Sequence, residues 1–196
     1  MPDPPLLTSR FRSAMQYALE LHQSQLRKGT HTPYIAHLLA VTALVLEDGG
    51  DEDQAIAALL HDAVEDQGGF DTLQEIRRLF GEQVALIVEA CSDAMGNPKP
   101  PWRARKEKYL QHLPNASQAV LRVSLADKLH NGWSIVRDAR QLGECIWSRF
   151  NGGKEGTLWY YRSLLNVFKN VSQSSMVAEL ETIVMEMETL ARSSSD

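Results

Sequence analysis

An all-α fold, a bundle of roughly eight to ten helices, is predicted by two features of this sequence. Apolar residues recur at three- and four-residue intervals along nearly every segment, and no pair of alternating segments reads as paired strands. Cap and stop residues punctuate these runs. Ser9 can cap a first helix with Met15, Leu19, His22 and Leu26 on its buried face, ending near Lys28 and Gly29. GTHTPY follows as a loop, and a second helix runs from about Ala36 to Leu46 before Glu47-Asp48-Gly49-Gly50 stops it. Asp51 with Gln54 makes a capping-box-like start for a third helix, whose core stripe is Ile56, Leu59, Leu60, Ala63 and Val64 and whose end is Gly68-Gly69. Asp71 with Gln74 repeats the capping pattern, and Gly81 separates two shorter helices. The segment GNPKPPWRARKEKY combines three prolines with five basic residues and reads as a loop leading into a basic helix start. From Ser117, QAVLRVSLADKLHNGWSIV is helical and largely buried, and another helix covers about Gly156 to Lys169. SSMVAELETIVMEMETLAR closes the bundle with Met176, Leu180, Ile183, Met187 and Leu190 on one face, the methionines serving as core.

Length and composition narrow the function classes. A chain of 196 residues suggests one domain, placed at residues 9–192, with mobile ends at 1–8 and 193–196. With 43% hydrophobic and 23% charged residues, a sizeable core is available and global disorder is excluded. A net charge of −5 argues against a general nucleic-acid or membrane-surface binder, while leaving room for a local basic pocket that holds a small polyanion. Cys91 and Cys145 form no CxxC pair and cannot build a disulfide framework, so a reducing, cytoplasmic setting is expected. MPDPPLLTSR lacks the pattern of a secretory leader, and no apolar run is long enough to span a bilayer.

The third helix poses the chemical question. LLHDAVEDQGG, at its end, carries His61, Asp62, Glu65 and Asp66. On one continuous helix, His61 stands above Glu65 and Asp62 above Asp66, and the last two acids face the negative end of the macrodipole. A divalent cation would reverse that local cost, since imidazole and carboxylate together suit several first-row metals. Two neighbouring ligands are too few for a site, but His37 in PYIAHLLA and Asp127 in SLADKLHN also stand inside apolar runs, where an unpaired ionisable group would be expensive. A lone core histidine or a lone capping aspartate would account for each singly; the combination is harder to explain so.

The pattern H…HD…D, with ED closely following HD, resembles the HD superfamily of metal-dependent phosphohydrolases. The surrounding text narrows the resemblance: RKGTHTPYIAH, AIAALLHDAVED, FGEQVALIVE and LADKLHN, in this order, are similar to the hydrolase domain of RelA/SpoT-type alarmone enzymes over roughly residues 10 to 135. There is no room for the synthetase or regulatory domains of the long enzymes, so the chain looks like a small stand-alone hydrolase of the kind formed by metazoan SpoT homologues. The resemblance implies an HD-domain helical bundle in which His37, His61, Asp62 and Asp127 hold one metal, usually manganese; donor chemistry alone would not choose manganese over iron, zinc or nickel. It also implies that Glu65 and Asp66 position and deprotonate the attacking water. The implied reaction removes pyrophosphate from the 3′ position of guanosine 3′,5′-bis(diphosphate) or the pentaphosphate, leaving GDP or GTP.

The same resemblance implies substrate contacts. Arg27 would lie against the base and Lys28 reach phosphate; a planar guanidinium can stack on a purine as an ammonium cannot. Tyr34 and Asn131 match positions near the nucleoside, with packing the competing role for Tyr34, and Arg105 and Lys106 are diphosphate contacts on a looser match. The sequence departs from the family at His37-Leu38, where HP is usual, and at Glu65-Asp66-Gln67, where EDT is usual; neither change removes a ligand. Beyond Asn131 the pattern diverges, and Trp147, Arg149, Lys154 and Tyr161 are candidates for one wall of the pocket against ordinary helix packing. GGKEG is too isolated to be read as a phosphate loop. Two rivals follow: a phosphohydrolase acting on another nucleotide, such as a nucleoside monophosphate or the 2′-phosphate of NADPH, and a non-catalytic alarmone sensor. The sensor is disfavoured because it would not need the ED pair.

Overall fold

In the computed structural model, residues 7–93 and 98–193 are described, and among them the fold is all-α. The remaining residues of the two expected mobile ends, and Gly96-Asn97 of the proline-rich segment, lie outside that range. Ten α-helices are present among the described residues: α1 Ser9–Leu21, α2 Ile35–Glu47, α3 Glu52–Leu60, α4 Ala63–Gln67, α5 Gly69–Phe80, α6 Glu82–Cys91, α7 Trp102–His112, α8 Gln118–Leu142, α9 Gly153–Val171 and α10 Met176–Ser193. Short 3₁₀ turns at Leu113–Asn115 and Gly143–Arg149 complete the set. Among the described residues no helix is long and apolar enough to cross a membrane. The chain divides into two compact units, one running up to Lys99 and including Ala116–Ala126, the other comprising Pro100–Asn115 and everything from Asp127 onward.

The first unit is built around α3. Every residue from Gln54 to Leu60 is buried, so this helix is apolar on all sides and packs against α1, α2 and α6. Its N-terminus is capped as predicted, with the Asp51 carboxylate accepting from the Gln54 backbone N–H at 2.9 Å. The reciprocal half of a capping box is absent: the Gln54 side-chain oxygen accepts from Arg122 of α8, whose Nε donates to Asp48 at 2.8 Å. Thr8, rather than Ser9, caps α1, and α1 buries Ala14 and Ala18 while Leu19 and Leu26 are about half exposed. Two alanines one turn apart let the backbone of α1 approach α3 closely, which large side chains at those positions would prevent. His22 is buried as expected.

The largest departure concerns the third helix, which is two helices. α3 ends at Leu60 and α4 begins at Ala63, with His61 and Asp62 forming the turn between them. Both residues keep right-handed dihedrals, so the break is a local loss of pairing rather than a reversal of the chain. Gly68 and Gly69, at φ 150° and 61°, then turn α4 directly into α5. Because that helix starts at Gly69, Asp71 lies inside its first turn and does not cap it.

In the second unit the latter part of α8 packs with α9 and α10. A Cβ on Gly132 would stand 2.8 Å from Ile183 Cγ2 and 3.1 Å from Tyr161, so only glycine allows this approach. α10 buries Met176, Leu180, Ile183 and Met187, as the periodicity predicts, while Leu190 is half-buried. The GGKEG stretch is the start of α9, which begins three residues earlier than expected.

Leu59, fully buried in α3, measures how much the first unit depends on that helix. Leu59→Ala should lower unfolding free energy by about 2–5 kcal/mol, read from urea denaturation; a loss well under 1 kcal/mol would contradict the central place given to α3.

Candidate metal centre

His37 lies in the first turn of α2, where burial of Leu38 and Val41 on the same helix holds it inside, and it is itself fully buried. His61, 2% exposed, and Asp62, partly exposed, sit at the turn between α3 and α4. Asp127 follows Ala126 on the unbroken helix α8 and is 5% exposed. Each of the four offers a ligand atom, and these atoms all lie within 4.8 Å of one another. Donors on opposite sides of an ion bound at about 2.1 Å would be about 4.2 Å apart, so a cluster confined within 4.8 Å is close to the size of a site for one first-row ion.

Local bonds aim these donors. The Nδ1–H of His61 donates to the Ala58 carbonyl at 2.8 Å, which leaves Nε2 as the lone-pair nitrogen. That atom is 3.0 Å from Asp62 Oδ2, and His37 Nε2 is 3.5 Å from the same oxygen. The two rings meet edge to face, with centroids 5.2 Å apart. Tyr34 donates its hydroxyl to Asp62 Oδ2 at 2.6 Å. Asp127 accepts from Asn131 one turn along α8 and from its neighbour Lys128. Burial works against the Lys128 ammonium, but the adjacent Asp127 charge prevails and raises its pKa well above the usual lysine value. With two neutral imidazole nitrogens and two carboxylates, the donor set fits a divalent cation in both charge and softness.

Glu65 and Asp66 belong to the first turn of the five-residue α4, so the expected conflict with the C-terminal end of a long helix does not arise. Their electrostatics come from elsewhere. Burial raises the Glu65 pKa, the charges of Asp93 and Asp62 add to it, and Lys99, whose Nζ is 3.0 Å from Oε1, opposes it. Asp66 is raised by desolvation and by Asp62, against a hydrogen bond from Gln25 Nε2 at 2.8 Å. Lys99 comes from the basic proline-rich segment, and neither it nor Gln25 is singled out by sequence reasoning. Proximity to prolines marks Lys99 weakly; Gln25 carries no signal beyond lying three residues after His22.

The other predicted residues distribute as follows. A hairpin-like loop closed by the Leu26–Pro33 bridge carries Arg27 and leads directly into Tyr34, and the Arg27 guanidinium lies 5.7 Å from the Tyr34 ring centre. That ring also meets His22, stacked at 5.2 Å, and His37, in a T-shaped contact at 5.6 Å. Lys28 is exposed on the same loop. In the second unit, Arg105 donates to the Pro100 carbonyl, Lys106 lies 5.1 Å from the centre of the Tyr160 ring, and Lys154 pairs with Glu144 at 2.7 Å. Arg149 pairs with Asp138, while Trp147 and Tyr161 are each 5% exposed.

Tyr34→Phe keeps the ring and deletes the hydroxyl donated to Asp62. Because such supporting bonds orient metal ligands, the variant should bind divalent metal about tenfold more weakly with its fold intact, as measured by calorimetric titration; unchanged affinity would show that the hydroxyl does not orient Asp62.

Comparison with known proteins agrees with this geometry. The family model described as HD domain matches residues 14–158. The guanosine-3′,5′-bis(diphosphate) 3′-pyrophosphohydrolase MESH1 of Xenopus tropicalis is 41% identical over 138 residues, covering 69% of this chain and 72% of the relative. The Homo sapiens protein of the same name is 38% identical over the same shares of the two chains. Among solved structures, a metazoan ortholog of SpoT, described as hydrolysing ppGpp and playing a role in starvation responses, superposes with a TM-score of 0.74 at 24% identity, covering 92% of this chain and 97% of that one. The chain belongs to the HD domain family.

Proposed function

We propose that this protein is a metal-dependent hydrolase of guanosine 3′,5′-bis(diphosphate) and the corresponding pentaphosphate, cutting at the 3′ position to release pyrophosphate and leave GDP or GTP. The observation that carries the reading is the convergence of His37, His61, Asp62 and Asp127 with Glu65 and Asp66 following the histidine–aspartate turn. The named activity of the relatives supports the same substrate. In this reading the four donors hold one manganese ion, which supplies Lewis-acid polarisation of a phosphoryl oxygen and a lowered water pKa.

The chain's own residues do the rest. Glu65 and Asp66, both raised from their ordinary values by burial and by neighbouring acids, take the proton of the attacking water; a raised carboxylate accepts a proton more readily. Arg27, resting on the Tyr34 ring, presents a flat cation for a purine to stack on, and Lys28 offers a mobile ammonium for phosphate. Tyr34 and Asn131 combine support of Asp62 and Asp127 with contact to the nucleoside. Arg105, Lys106 and Lys154 supply further positive charge for a substrate of high negative charge. Residues 9–192 act as one functional domain, in keeping with a family match that runs across 14–158. Two cysteines, neither in a disulfide, suit a reducing cytoplasm.

The decisive assay incubates purified protein and manganese with guanosine bis(diphosphate), NADPH and nucleoside monophosphates, and measures pyrophosphate and phosphate separately. Pyrophosphate from the guanosine substrate alone is expected; phosphate from NADPH or a monophosphate, with none of the former, would overturn the proposal. Glu65→Gln and Asp66→Asn should each keep the metal and lower turnover by at least about a hundredfold, whereas Asp62→Ala and Asp127→Ala should lose metal and turnover together. Full metal occupancy in either alanine variant, read by elemental analysis, would contradict the ligand set. Since a raised carboxyl stays protonated to higher pH, the acid limb of kcat/KM should lie above the ordinary carboxylate range of about 4; a limb at or below that range would contradict the role given to the pair.

A further inference from the structure

Asp66 is held by a side chain that has no place in the metal centre. Gln25, in the loop after α1, donates from Nε2 to Asp66 Oδ2 at 2.8 Å. Its Oε1 meets two other groups, His22 Nδ1 at 2.6 Å and the Gln67 amide nitrogen. An amide has one accepting and one donating end, and an ionised carboxylate only accepts. The end of Gln25 that faces Asp66 must therefore be its NH2. It follows that Oε1 faces His22 and Gln67 and that both of those groups donate to it. His22 then carries its proton on Nδ1. Its other nitrogen, Nε2, is buried with no hydrogen-bond partner among the described residues, so a proton there would be left unsatisfied. His22 is fixed in turn by burial and by stacking on Tyr34.

We propose that Gln25 is a positioning residue for the reaction: His22 and Gln67 clamp its carbonyl end so that its amide nitrogen aims the Asp66 carboxylate. This rests on the hydrolase reading given above. Gln67 is the residue at which the sequence departs from the EDT of its family, and the departure supplies one of the two donors of the clamp. A glutamine free to rotate could present its oxygen to Asp66 and repel it; with both donors on Oε1, that orientation is closed. The backbone strengthens the arrangement, because Gln25 also accepts through its main-chain carbonyl from the Tyr34 N–H at 2.9 Å, tying the clamp to the residue that supports Asp62.

The charged and titratable groups that face Asp66 are Asp62 from the turn before α4, Lys99 from the segment before α7 and His22 from the end of α1. The Gln25 N–H donates to the ionised form of the Asp66 carboxylate and so favours it, and the Lys99 charge acts in the same direction against the cost of burial. Deleting the amide donor therefore shifts Asp66 upward, and its carboxylate forms only at higher pH.

The test follows the Asp66 carboxyl carbon by NMR titration in the full-length protein, with zinc as a diamagnetic occupant and Asp66→Asn for assignment, alongside pH profiles of turnover with manganese. Gln25→Met should raise the Asp66 titration by about one unit, which is about a tenfold loss of turnover on the acid side, with the Glu65 titration, KM and melting temperature little changed. Gln25→Glu, nearly isosteric, should shift Asp66 upward too, because a carboxylate then faces it. The His22→Phe/Gln67→Met pair should reproduce the Gln25→Met shift. An unmoved Asp66 titration in folded Gln25→Met or Gln25→Glu protein, or wild-type behaviour of the clamp pair, would overturn the proposal. The titration reads Asp66 whether or not the guanosine substrate is cleaved, so failure of the hydrolase reading is seen separately, as absence of pyrophosphate release by the wild type.

Discussion

Two imidazoles and two carboxylates must be brought out of water and held facing one another, and much of the first unit answers that requirement. Ionisable groups are costly to bury unless each has a compensating partner. Here each ligand is embedded in an apolar helix or helix end, and hydrogen bonds join His61 to Ala58, Asp62 to Tyr34, and Asp127 to Lys128 and Asn131. α3 is buried on every side because the donors at its end must not move; a half-exposed helix would fray where His61 has to be fixed.

The turn at His61-Asp62 divides the chemistry. Before it lies the rigid apolar helix; after it, the short α4 carries Glu65 and Asp66 toward a more open and more polar setting. Carboxylates this close to Asp62 repel it and are harder to ionise, and Lys99 and Gln25 offset part of that effect. The net result leaves both acids more basic than free carboxylates.

The helices were legible because their apolar spacing is regular, and the cap at Asp51 because carboxylate-to-backbone bonding is local. The break after Leu60 was not legible: His61 and Asp62 are neither glycine nor proline, and both retain helical dihedrals, so nothing in the sequence distinguishes the turn from a continuing helix. Periodicity points to Leu19 on the buried face of α1 because large apolar side chains outweigh Ala14 and Ala18 in it, although close helix packing favours the small ones. His37, His61, Asp62 and Asp127 were each ambiguous alone and became a set through family resemblance; their convergence is a tertiary fact. Gln25 and Lys99 carry little sequence signal because an amide or ammonium acts here through where it sits, and its position depends on loops with no periodicity to read.

The account stands on one ion being held by these four side chains, and anomalous diffraction from crystals grown with manganese tests it most directly. A single anomalous peak about 2.0–2.3 Å from His37 Nε2, His61 Nε2 and oxygens of Asp62 and Asp127 is the predicted result. A peak bound by other residues, or no peak at this cluster when manganese saturates the protein in solution, would contradict it.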